Sequence, residues 1–245
     1  MKQYKTHKKV IPLNEPSADS APHPHPPELN PTKAKRYRLI SIVVWIIAIA
    51  IEGFCIYFFL QNKITFPILL VGIGGILILT LIGSVLWKKA NRLDPVSRKN
   101  KWRFFVHNQL GLLLSILAFL PLIIILFRSN NLSGKEKKWA GGIALFALAI
   151  AGLVGTDFNP PSIEEYEEAT RQVTDLNNGV NQVFWTPSGK SYHLFESCSY
   201  INTDRTKEIY AGTVAQAKHD KNIIDLCDLC QRNAVKLTTQ KTINQ

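Results

Sequence analysis

The chain has 245 residues, of which 46% are hydrophobic and 19% charged, with a formal net charge of +11. Residues 1–155 carry 20 Lys and Arg against 6 Asp and Glu, whereas residues 156–245 carry 9 against 12. This uneven composition excludes a single globular core. The basic residues flank long apolar stretches, where they signal membrane topology before they signal phosphate binding. The acidic remainder lacks the electrostatic footprint of a nucleic-acid binder.

Residues 1–38 read as a disordered basic cytoplasmic tail. The run PSADSAPHPHPPELNP offers too little apolar surface to offset the entropy of ordering it. His23 and His25 alternate with proline and are incidental composition rather than a metal site. Lys33, Lys35, Arg36 and Arg38 lie beside the first apolar stretch, within reach of anionic lipid head groups.

Four apolar stretches follow, at about residues 39–60, 64–87, 110–127 and 139–155. At a rise of about 1.5 Å per residue they suit a hydrocarbon core roughly 30 Å thick, so a domain of four transmembrane helices is expected over 39–155. The fourth is rich in glycine and alanine and has the weakest signal. No cleaved signal peptide is expected, because the first stretch starts late and no convincing cleavage site follows it. The tail carries eight basic residues and the 88–108 connection seven, against one and four in the other two connections. Both termini are therefore expected in the cytoplasm of a multi-pass cell-membrane protein.

Glu52 interrupts the first span. A carboxyl there is expected to face the bundle, protonated, hydrogen-bonded or paired, and it is the intramembrane candidate for a functional role. Cys55, three residues on, reads as a small buried hydrophobe. Gly72, Gly74 and Gly75 in the second span and Gly141, Gly142, Ala147, Ala151 and Gly152 in the fourth are expected to admit close helix packing. Pro67 and Pro121 are expected to bend their helices.

Residues 156–177 read as a solvated linker helix, with Ser162 and Glu165 at capping-box spacing and an apolar stripe of Ile163, Tyr166 and Val173. Asn177, Asn178 and Gly179 end it. A small α+β module is expected over 178–235, followed by a polar tail over 236–245. VFWTPSGKSYHLF reads as a hairpin turning at Pro187-Ser188-Gly189, with Trp185 and Tyr192 in its core, and Thr213 is placed to cap a short helix.

Three of the four cysteines fall in this module. The pattern His193-x4-Cys198-x28-Cys227-x2-Cys230 supplies three thiolates and an imidazole, a set that completes tetrahedral zinc coordination with no position left for catalytic water. A structural Zn2+ is therefore expected. The competing reading is thiol–disulfide exchange through Cys227 and Cys230. His219, on the predicted short helix, reads as a surface residue.

The segments TPSGKSYHLFESC, TVAQAK and LCDLC, within 183–232, resemble a pattern found in small bacterial zinc-binding domains related in appearance to the metal-binding domain of the Ada DNA-repair protein. The resemblance implies that His193, Cys198, Cys227 and Cys230 hold the metal. It carries over neither methyl acceptance nor DNA recognition, since a histidine stands where the Ada-like domain has a fourth thiolate. The usual glycine and proline before the final CxxC are replaced here by KNIIDLCDLC.

These features point to a membrane-anchored interaction or sensing protein with a cytoplasmic structural-zinc module and a protein partner. The alternative is a small transporter or channel-like protein using Glu52. A DNA-associated membrane protein or a membrane enzyme comes third. No Ser/His/Asp order, HExxH or glycine-rich phosphate loop is present to name a reaction, so an enzyme is not expected.

Overall fold

The computed structural model describes residues 9–12, 30–130, 132–221, 223 and 225–243. The chain forms two units: residues 30–161, and residues 162–245 together with the segment before residue 30.

The first unit contains α1 (Pro31–Leu60), α2 (Phe66–Leu93), α3 (Lys101–Asn108), α4 (Leu110–Arg128) and α5 (Gly134–Gly155). All except α3 are long and apolar enough to cross a membrane, and only 28–39% of each apolar window is buried within the protein. The remaining apolar surface needs lipid around it, and the helices satisfy their own backbone groups, as a spanning element must. The chain is thus a multi-pass helical membrane protein.

Helix α1 starts eight residues before the apolar stretch begins, so residues 31–38 are not the disordered tail expected of them. Asn30 caps the helix by accepting from the Lys33 amide at 3.0 Å, with Pro31 in the first turn. Ala34 packs with Ala90 and Leu93, and Arg38 donates to the Asp94 carboxylate and backbone carbonyl, both at 2.7 Å. Arg38 therefore binds α1 to the end of α2. The rest of the disorder expectation, together with His23 and His25, falls on residues outside those described, apart from a strand over Lys9–Pro12.

Small residues set the helix crossings, but only some of those expected to. A Cβ on Gly155 would lie 2.7 Å from the Gly111 backbone, so α4 and α5 touch main chain to main chain. A Cβ on Gly72 would meet Cys55 Sγ at 2.5 Å, and one on Gly141 would meet the Phe127 ring at 2.5 Å. Gly74, Gly75 and Gly142 have no atom of the described residues within 4 Å of such a Cβ, so no close approach requires glycine there. Pro67 sits in the first turn of α2, where it costs no helical hydrogen bond, and α4 continues through Pro121.

The second unit contains β1 (Lys9–Pro12), α6 (Ile163–Leu176), β2 (Val183–Trp185), β3 (Ser191–Tyr192), β4 (Glu208–Gly212), α7 (Val214–Lys221), β5 (Asp225–Leu226) and α8 (Asp228–Ile243). One sheet has the order β1-β4-β2 and a second pairs β3 with β5. Helix α8 runs through most of the residues read as a polar tail. Helix α6 belongs to the module's core: Ala169 and Val173 pack in the cluster that holds Trp185, Tyr192 and Ile209. Ser162 caps α6, accepting from the Glu165 amide at 3.2 Å, while Thr213 and Gln216 exchange side-chain and backbone bonds at the start of α7. Asn178 and Gly179 adopt positive φ of 52° and 86° and end α6, with the Gly179 amide returning to the Thr174 carbonyl at 2.7 Å.

Candidate metal centre

The first donor is set by a hairpin of minimal length. The chain turns at 187–189 and returns so that the Phe184 and His193 backbones exchange hydrogen bonds of 2.8 and 2.7 Å. The two arms then separate into different sheets, β2 into the larger and β3 into the smaller. The expected hairpin therefore exists as one bridge rather than a ladder.

The second sheet brings the CxxC segment to that histidine. Strands β3 and β5 pair in parallel, Ser191 beside Asp225 and Tyr192 beside Leu226, and the Cys227 amide donates to the Tyr192 carbonyl at 2.9 Å. His193 and Cys227 are the next residues on each strand, so this short ladder sets them side by side. Cys227 also begins α8, its carbonyl accepting from the Gln231 amide at 3.0 Å, and places Cys230 in the first helical turn. Cys198 arrives on a turn in which its carbonyl accepts from the Ile201 and Asn202 amides at 3.0 and 2.8 Å.

The four donor atoms converge within 4.8 Å of one another. Cys198 Sγ lies 4.0 Å from Cys227 Sγ, and Cys230 Sγ lies 3.7 Å from His193 Nδ1. A tetrahedral metal with bonds of about 2.0–2.3 Å sets donor separations of roughly 3.5–3.8 Å, so the cluster fits such an ion with a small contraction. All four residues are buried, with exposures of 4% for His193, 7% for Cys198, 4% for Cys227 and 1% for Cys230. Burial pushes the Cys198 thiol up and the Cys230 thiol up to about 12, and it holds the His193 imidazole below its ordinary value. Neutral donors are favoured in the absence of a counter-charge, and a divalent cation reverses that preference for the thiols. The C-terminal region therefore contains a metal-binding His/Cys cluster at the residues the spacing indicates. His219, half-buried on α7, is not part of it.

One residue without a local sequence signal helps to hold α6 against α7. Lys218 is 4% exposed; its ammonium lies 2.9 Å from the Glu165 carboxylate and 5.5 Å from the Tyr166 ring centre. Glu165 is thus turned toward α7 rather than back to the helix cap, and α6 is docked by an ion pair rather than solvated on all sides.

Glu52, the other candidate, lies in the first unit. It is buried on α1; its Oε1 has no hydrogen-bond partner among the described residues, and the Leu122 backbone of α4 lies near its carboxyl. Leu122 follows Pro121, whose missing N–H weakens the helical ladder at that turn. Cys55 is buried against Gly72, in the role expected of it.

No family model, curated protein or solved structure matches the chain.

Proposed function

We propose that this chain is a membrane-anchored interaction or sensing protein in which one zinc ion, bound by His193, Cys198, Cys227 and Cys230, holds a small cytoplasmic module folded. The observation that carries this reading is the closure of the donor set. Four buried protein donors satisfy four tetrahedral positions, which suits a structural site, whereas a catalytic zinc keeps one position for water. Three thiolates with one imidazole favour zinc over the hard cations that bind oxygen.

The pairing of β1 with β4 supports the topology. Strand β1 precedes the first membrane-length helix and β4 follows the fourth, so their ladder needs an even number of crossings between them. The excess of basic residues beside the first helix and between the second and third supports a cytoplasmic location for that shared side. A protein partner suits the acidic composition of 156–245 better than a nucleic acid does.

The test is purification of the intact chain in membrane mimetic with metal analysis. One zinc per chain, lost together with the fold of the module in Cys230→Ser, is the expected result. A zinc with a water among its ligands would bring an enzyme back into contention. The second reading, a transporter or channel, draws on the unpartnered Oε1 of Glu52 in the bundle interior. Proton-coupled flux that disappears in Glu52→Gln would favour it.

A further inference from the structure

The sheet of the metal module is completed by the opposite end of the chain. Strand β4 is its centre: β2 pairs antiparallel on one side, and Lys9–Pro12 pairs parallel on the other. Lys9 stands beside Glu208, Val10 beside Ile209, Ile11 beside Tyr210 and Pro12 beside Ala211. The ladder ends at a proline, which has no N–H to extend it. Seventeen residues, 13–29, connect this strand to the cap of α1.

We propose that the edge of β4 is a docking site for extended peptides and that Lys9–Pro12 is its built-in occupant. This rests on the interaction reading above and names the class of partner: a strand parallel to β4, with a basic residue at the Glu208 position and two β-branched residues after it. Without β1, β4 would present a row of unpaired backbone groups, the surface that β-strand addition uses. The occupant is only four residues long and stands at the edge of the sheet. The described core residues come from α6, β2, β3, β4, α7, β5, α8 and the intervening loops. Because Lys9–Pro12 already occupies this edge, an outside strand binds well only when the built-in strand is displaced. The opposite neighbour of β4 is β2, whose Phe184 exchanges backbone bonds with the metal ligand His193, so the site is anchored to the metal shell.

The experiment uses the full chain in nanodiscs, intact and with residues 1–13 removed, titrated with a fluorescent peptide of sequence KKVIPLN and with the same peptide carrying proline at both central β-branched positions. The shortened chain is expected to bind the first peptide at least tenfold more tightly than the intact chain does, and at least tenfold more tightly than it binds the second peptide. Equal binding by the two chains, or by the two peptides, overturns the proposal. Amide exchange on the intact chain is an independent check: slow exchange within residues 9–12 is expected, and exchange at the rate of an unstructured peptide overturns it. A dimer that becomes monomeric on shortening would assign the strand to a second copy and overturn the built-in assignment. Metal analysis of the shortened chain separates the two ideas, since one metal per chain without peptide binding removes this proposal and leaves the metal centre standing.

Discussion

Glu52→Gln and Glu52→Leu separate two roles for one buried carboxyl. Glutamine keeps a hydrogen-bonding group near the Leu122 backbone and is expected to melt close to wild type, whereas leucine loses it at a cost of about 1 kcal/mol. A thermal-stability assay in detergent reads the difference, and equal destabilisation by both would reject the hydrogen-bonding role. His107 on α3 offers a pH test. Burial, reinforced by the nearby Arg38 guanidinium, holds it down at about 4 against an ordinary value of 6.5. The folded bundle refuses a proton that the unfolded chain accepts, so stability is complete above pH 6.5 and is lost as the pH falls from 6.5 toward 4. The loss is expected to reach at most about 2 kcal/mol, allowing for the exposed share of the side chain, and His107→Gln should flatten the pH dependence in that window. At this scale the four metal ligands are legible because CxxC and His-x4-Cys are local spacings of donor types. Lys218 is not, since nothing near it in sequence indicates that Glu165 will meet it.

Helix α6 owes its docking to both apolar burial and the Glu165–Lys218 pair. Lys218→Met removes the cation from a partly exposed carboxylate and is expected to destabilise the module by about 1–2 kcal/mol, less than a fully enclosed pair would give. Combining it with Glu165→Gln should restore part of the loss; chemical denaturation of the single and double variants measures the coupling, and additive losses would contradict it. Among elements, the long apolar helices and the caps at Ser162 and Thr213 can be read from composition and three-residue spacing. Strand β3 falls in the second arm of the expected hairpin, but β5 cannot be read, because two residues are too few to show a period and its pairing with β3 joins distant segments. Strand β1 is hidden for a similar reason: it is four residues long, and its pairing with β4 joins segments almost 200 residues apart. The start of α1 carries no apolar period because Pro31–Arg38 is polar, and its helix is held by packing on α2 and by the Arg38–Asp94 pair.

For the whole molecule, an even number of membrane crossings and the metal module are linked claims, because β1 and β4 pair only if both chain ends share a compartment. Accessible reporters after Asn62 and Asn131 are expected on one side of the membrane and a reporter at the C-terminus on the other. A C-terminus on the same side as those two loops would contradict the topology and would favour disulfide chemistry for the cysteines. The central claim, that metal holds the module folded, is tested most directly by zinc titration of the reduced, metal-free full chain, read by metal content and by protease resistance of residues 162–243. Binding of one zinc is expected to restore resistance, with apparent stabilisation on the order of 10 kcal/mol as in small zinc-dependent folds. Cys230→Ser should lose both occupancy and resistance, and His219→Ala should keep both. A module equally resistant with and without zinc, and unchanged by Cys230→Ser, would contradict the account.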